Sequence, residues 1–261
     1  MRLPSTPRIR RLWAAAVVVL LSATVGLIAV AAPRTHLAGR PLPDVAVFMR
    51  SRGLSGPCGV VVWLHLRYGR PGVDVVVVPP DVLVRSAAGT AVPLHRLVEQ
   101  SGPQAGARAL AGLLGVPLSG WLSLDLDALL KSISMGALAA EVAAGAEDHG
   151  RPLSAAEYAH QVTLLRVGVA LAPRRDLPVP AFENYVLASG KATTSLSLND
   201  VAWMAKAMRD AARDDVAVLA LPASVRTTAA GPQWRAQAAA VLDLVRELSR
   251  RPDAPLPAAS P

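Results

Sequence analysis

Residues 73–84 read VDVVVVPPDVLV, and this stretch decides the fold. Valine carries two branches at Cβ, which restrict χ1 and suit a pleated strand better than a helix. Strand side chains alternate faces, so an unbroken apolar run predicts a strand covered on both sides, central in a sheet. Pro79 and Pro80 have no backbone N–H to give and end the ladder. Asp81 follows where a core strand opens into a loop, a common position for chemistry.

Working outward, residues 58–66 (CGVVVWLHL) read as a second strand and residues 44–49 (DVAVFM) as a first. The short Gly/Pro stretch 68–72 turns 58–66 into 73–84 as an antiparallel hairpin. Residues 104–114 are helix-forming, stopped by Gly115 with Pro117 two residues beyond. In 120–127 (GWLSLDLD), Leu122, Leu124 and Leu126 take one face and Trp121, Ser123, Asp125 and Asp127 the other. Asp127 is placed to cap a helix through Leu129, Leu130 and Ile133. Residues 154–171 read as a helix closed by Pro173. Ser197 and Asp200 fit a capping box ahead of the stripe Val201, Met204, Ala205 and Met208. Residues 216–221 (VAVLAL) form a short buried strand. Residues 232–250 read as a last helix, with Trp234, Ala238, Val241, Leu242, Val245 and Leu248 at helical spacing. Strands alternating with helices predict an α/β fold, a mixed central sheet covered by helices.

Composition narrows the function. The chain has 261 residues, 52% hydrophobic and 18% charged, enough to bury a sizeable core. Its net charge is +8, but Arg2, Arg8, Arg10 and Arg11 supply half of it, so no nucleic-acid partner is indicated. Cys58 is the one cysteine, which excludes a disulfide framework and reads as a small buried hydrophobe. His36, His65, His95, His149 and His160 lack ligand spacing, and the sequence itself supports no metal site. No nucleophile elbow, phosphate-binding Walker loop, zincin helix or dinucleotide fingerprint is present.

Residues 12–32 (LWAAAVVVLLSATVGLIAVAA) carry no charge and, at 1.5 Å per residue, span a hydrocarbon layer of about 30 Å. The arginines before them place the start of the chain in the cytoplasm. Ala29-Val30-Ala31 also fits a signal-peptide cleavage site, but the run exceeds the usual ~7–15 residues of such a segment, which favours an uncleaved anchor. Either reading puts the remainder outside the membrane. The expected organisation is a basic leader (1–11), a single transmembrane anchor (12–32), a Pro-containing linker (33–43), an extracytoplasmic domain (44–250) and a Pro-rich tail (251–261).

The chain resembles the LytR–CpsA–Psr (LCP) family. VVVPPDVLV is similar to that family's strand ending in Pro-Arg-Asp. SGPQAGARALAGLLGVPLSGWLSLDLDALL is similar to its Gly-Gly-Pro helix, Leu-Gly-(Ile/Val)-Pro link and Val-Asp-Phe strand, and TTSLSLNDVAWMAKAMRD and VAVLALPA to its late helix and following strand. The resemblance implies an α-β-α domain behind one membrane helix. It implies transfer of a glycopolymer from a polyprenyl-pyrophosphate carrier to peptidoglycan with a divalent cation, Mg or Mn. This sequence departs from the pattern at its charged positions. Pro80 stands for the loop arginine, Cys58 or Gly59 for the cation-binding aspartate, and Pro93-Leu94-His95 for Lys-Ile-Asn. The later arginine motifs are represented by His160, Gln161 and Arg166.

Asp81 is the retained acid and the candidate catalytic residue. Arg85, Arg96, Arg108, Arg166 and Asp125 are candidate ligand-binding residues, and Arg174, Arg175 and Asp176 a candidate contact with lipid headgroups. A pyrophosphate needs several convergent cations. The departures therefore imply a member that binds polyprenyl-linked precursors or other lipid with weakened or lost phosphotransferase activity. The alternatives are an active transferase with a rearranged site and a non-catalytic envelope scaffold.

Overall fold

The structure is a computed structural model and describes residues 44–67, 72–125, 152–171, 190–197, 200, 216–228 and 231–250. Six strands form the main sheet: β1 (Val45–Arg50), β2 (Cys58–Leu66), β3 (Val73–Val78), β6 (Gly120–Asp125), β7 (Ala192–Thr194) and β8 (Val216–Ala220). Their order is β7-β6-β1-β2-β3-β8. β2 runs antiparallel to β1 and β3, whereas β6 is parallel to β1 and β8 parallel to β3. Every residue of β1 and β3 is buried, as two-sided cover requires of valine-rich strands. β3 is internal, as its composition predicts, but lies next to the edge strand β8 instead of at the centre. β1 and β2 hold the middle of the sheet.

After β3 a small hairpin forms from β4 (Leu83–Arg85) and β5 (Ala91–Pro93), leading into α1 (Leu94–Leu114). α1 packs across β1, β2 and β6, and α2 (Ala155–Leu171) lies against β8. A second hairpin, β9 (Ala223–Thr228) with β10 (Gly231–Ala236), precedes α3 (Ala238–Arg250), which packs on α1.

Three differences from the sequence expectation have clear causes. α1 starts at Leu94, ten residues before the expected helix, because Gly102 (φ 84°, ψ 168°) breaks it into two segments. Pro103 opens the second segment, where its missing N–H costs nothing, and that segment alone carried the stop signal. The stop itself is as expected: Gly115 adopts φ 70° and returns its N–H to the Ala111 carbonyl. At the C-terminus, residues 231–236 are a strand and not the first turns of the last helix. Trp234 belongs to a hairpin whose other arm, with Val225, Thr227 and Thr228, has β-branched composition. The short strands β4, β5 and β7 were too brief to show a period.

The Ser154–Glu157 pair caps α2 reciprocally, and Ser197 and Asp200 make the expected box. The helix after Asp127, the Val201–Met208 stripe, the leader, anchor, linker and tail, and Arg174 to Asp176 lie outside the described residues. Among the described residues, no helix is long and apolar enough to cross a membrane.

The α1–sheet contact is tight at Gly106, where an added Cβ would run into the Val98 side chain and the Phe48 ring. Val98 is β-branched on a helix and cannot swing aside. We expect Gly106→Ala to cost about 1–3 kcal/mol in denaturant unfolding. Tyr158 donates its hydroxyl to the Val77 carbonyl (2.8 Å) inside the core. Tyr158→Phe leaves that pairing unmade and should cost about 1 kcal/mol by the same measurement.

Candidate functional site

The carboxyl ends of β1, β3, β6 and β8 face one end of the sheet, the end at which α/β folds place ligands. There β3 passes into a turn closed by the Val82 N–H on the Pro79 carbonyl (3.0 Å). The two prolines cannot donate, but their carbonyls accept, and α1 is built onto them. The His95 N–H bonds the Pro80 carbonyl (2.8 Å) and the Leu94 N–H bonds the Val82 carbonyl (2.9 Å). The first residues of α1 are thereby fixed against the loop that carries Asp81.

Asp81 is largely buried and both its oxygens are engaged. Oδ2 accepts the Leu153 N–H (2.8 Å), and Oδ1 lies 3.2 Å from His95 Nδ1. Leu153 is gripped from its other side as well, since Trp234 Nε1 donates to its carbonyl (2.6 Å). Trp234 in turn meets the Tyr158 ring edge-on at 5.0 Å. Asp81 and Trp234 thus clamp the residue that leads into α2.

His95 Nδ1 faces two acceptors, Asp81 Oδ1 and the Pro80 carbonyl, each at 3.2 Å, so it carries the proton. Burial of the ring works against the imidazolium. The Asp81 hydrogen bond and charge, the Pro80 carbonyl and the Glu99 charge outweigh it, and the pKa lies above the ordinary 6.5.

The other expected residues do not converge on Asp81. Arg85 ends β4 and is exposed. Arg96 is exposed in the first turn of α1, beside His95 in sequence, and makes no hydrogen bond or ion pair among the described residues. Arg108 is exposed farther along α1. Arg166 donates Nε to the Val218 carbonyl of the edge strand β8 (2.9 Å). Asp125 is buried at the end of β6, 3.9 Å from Lys191 Nζ, and its register neighbour on β1 is Arg50. Arg50 is buried too and bonds the Gly56 carbonyl. Arg50 did not stand out in the sequence, and His95 did so only as part of the Pro93-Leu94-His95 departure from the family pattern. The signal available for His95 was its place one residue into a helix that follows the Asp81 loop.

Among the described residues no group of three or more His, Cys, Asp or Glu side chains comes together to hold a divalent cation without the help of a ligand's own oxygens. Where the resemblance places the cation-binding aspartate stands Cys58 or Gly59; Cys58 is buried, its thiol pushed up to about 12, chiefly by burial. A protonated thiol is not a ligand for a hard ion. The Cys58 N–H is instead taken by Glu99 Oε1 of α1 (3.0 Å).

Because the folded pKa of His95 lies above 6.5, its pairing with Asp81 contributes fully below pH 6.5 and is lost as pH rises through the higher folded value. In Asp81→Asn the burial remains and the counter-charge goes. The His95 pKa, followed by NMR of the ring protons, should then fall by about one unit or more, whereas an unchanged value would show that Asp81 does not hold the imidazolium.

No family model matches the chain, and no curated protein matches it in sequence. Solved structures do match in fold. TagU of Bacillus subtilis matches with a TM-score of 0.52 at 13% identity, over 79% of this chain and 96% of that one. TagV of the same organism matches with a TM-score of 0.52 at 10% identity, over 80% and 97%. TagT bound to LIIa-WTA matches with a TM-score of 0.53 at 9% identity, over 84% and 95%. TagU, TagV and TagT are LCP proteins, and this chain has an LCP-like α/β fold.

Proposed function

We propose that this chain is a membrane-anchored, extracytoplasmic LCP-like protein of the bacterial cell envelope. It binds polyprenyl-linked glycopolymer precursors, with phosphotransferase activity weakened or lost. The observation that carries the second half is the state of Asp81. Its two oxygens are spent on Leu153 and His95, while Arg85 stands on a strand end, Arg96 on a helix start, and Arg166 of α2 is bonded to the edge strand β8. In-line transfer at a pyrophosphate calls for convergent cations and a metal around the reacting group, and the described residues supply neither arrangement.

Three things support the first half. Residues 12–32 have the length and composition of an anchor behind a basic leader. The fold is that of LCP proteins. A structural relative, TagT, is bound to LIIa-WTA, a wall teichoic acid precursor, so this fold accommodates a glycopolymer precursor. Peptidoglycan is the acceptor that an active relative would use.

The full chain purified in mild detergent should carry polyprenyl lipid detectable by mass spectrometry, and recovery of no such lipid contradicts the binding role. Supplied with a polyprenyl-pyrophosphate glycopolymer, peptidoglycan and Mg or Mn, it should transfer polymer no faster than buffer. Metal-dependent transfer abolished by Asp81→Ala would instead establish an active enzyme with a rearranged site.

A further inference from the structure

Two small hairpins lie at the carboxyl end of the sheet, and only their inner sides are used by the fold. We propose that the outer side of the β9–β10 hairpin, with β4 beside it, is a docking face for anionic phospholipid headgroups. Docking there turns the carboxyl end of the sheet toward the bilayer, a step beyond the proposed function that borrows from it only the anchor at residues 12–32.

The inner side of the hairpin is fixed. Trp234 is buried, bridges Val82 just ahead of β4, and donates to the Leu153 carbonyl. Its register partner Val225 shares that side, and the Gln237 N–H closes the base of the hairpin on the Pro222 carbonyl (2.9 Å). Strand residues alternate sides, so Arg226 of β9 and Arg235 of β10 point the other way. Arg226 faces Gln233 across the ladder and Arg235 faces Ser224. Both arginines are exposed. Val82 and Val84 turn inward and are buried, which turns Arg85 outward, and it too is exposed. β4 lies beside β10, so the three arginines stand on adjacent strands about 5 Å apart.

Nothing on this face offsets their charge. Residues 82–93 and 223–236 contain these three arginines and no acid. None of the three has a hydrogen-bond or ion-pair partner among the described residues. Acids on the adjoining elements are engaged elsewhere: Asp81 with Leu153 and His95, Glu157 with Ser154, and Asp243 with Arg246. The sequence between the strands reads Ala-Ala-Gly in both hairpins, at 87–89 and 229–231. Small uncharged residues there add no bulk and no repulsion against an anionic surface.

Reach favours the bilayer over a soluble polyanion. Asp44 leads into β1 at the end of the sheet opposite the hairpins. The six residues of β1 rise about 20 Å, whereas residues 33–43 span about 36 Å when extended. The linker can therefore run past the sheet and let its carboxyl end lie on the membrane. Guanidinium suits phosphate oxygens, and each arginine near an anionic surface is worth about fivefold in partitioning. Three give about a hundredfold, too little to hold a free domain and enough for a tethered one. The Asp81 loop, next to the bridge between Val82 and Trp234, would then meet precursors at the membrane surface.

The test places the full chain in nanodiscs of phosphatidylcholine, alone or with about 30% phosphatidylglycerol. Ala88→Cys, exposed between β4 and β5, carries a nitroxide, while Cys58 is buried and stays unlabelled. Nickel chelated on the headgroups relaxes the label when it comes close. We expect stronger relaxation in the anionic discs, lost at about 1 M salt. It should also be lost in Arg226→Gln/Arg235→Gln, two exposed positions whose substitution threatens no packing. Equal relaxation in both discs, or no effect of the double variant, would overturn the docking face. So would binding of soluble poly(glycerol phosphate) that the double variant loses, with no preference for anionic discs; the face would then belong to a polymer. A chain that fails to enter neutral discs lacks the anchor, and docking is then read by sedimentation with anionic vesicles. There the double variant should bind about 25-fold more weakly, and equal sedimentation would overturn the face. Absence of co-purifying polyprenyl lipid would remove the precursor reading and leave the docking face standing.

Discussion

Two successive prolines at the end of β3 set the geometry of everything around the site. They withdraw two donors from the ladder, so the strand stops while its neighbours are still covered on both faces. Their carbonyls remain, and these accept the Val82 and His95 amides and hold His95 Nδ1. The end of one buried strand thereby fixes the start of α1. Asp81 lies between them with no freedom to act alone. A residue with an N–H in place of either proline would offer the strand another rung and loosen that junction.

The clamp on Leu153 extends the same logic to the second helix. Asp81 takes its amide and Trp234 takes its carbonyl, so one residue ahead of α2 is held by the β3 loop and by the C-terminal hairpin. Trp234 is buried against Tyr158, whose hydroxyl returns to the Val77 carbonyl of β3. Strand, hairpin and helix therefore close a ring of contacts around the site. In this setting Asp81 acts as a fastener, with one oxygen on the Leu153 amide and the other on His95.

Much of this was legible in the sequence, for definite reasons. The apolar runs of β1, β2 and β3 state their own burial, and the strand at residues 58–66 follows from its β-rich composition and the short Gly/Pro stretch after it. The Ser197–Asp200 box and the Gly115 stop are local rules that the structure obeys. What sequence could not show depends on contacts distant along the chain. Trp234 fits a helical stripe as well as a strand, and only pairing with β9 decides between them. Asp81 announces itself by its place after the prolines. Its partners Leu153 and His95 lie 72 and 14 residues away, with no spacing rule to connect them. The arginines looked like ligands because arginine suits phosphate. Their dispersal is a property of the folded surface.

The most direct measurement is a crystal structure of the full chain with an isoprenyl pyrophosphate bound. The account predicts Asp81 still bonded to Leu153 and His95 beside the bound lipid, with no metal between acid and phosphate. A divalent cation coordinated by Asp81 and bridging the phosphates, with arginines drawn in around it, would contradict it.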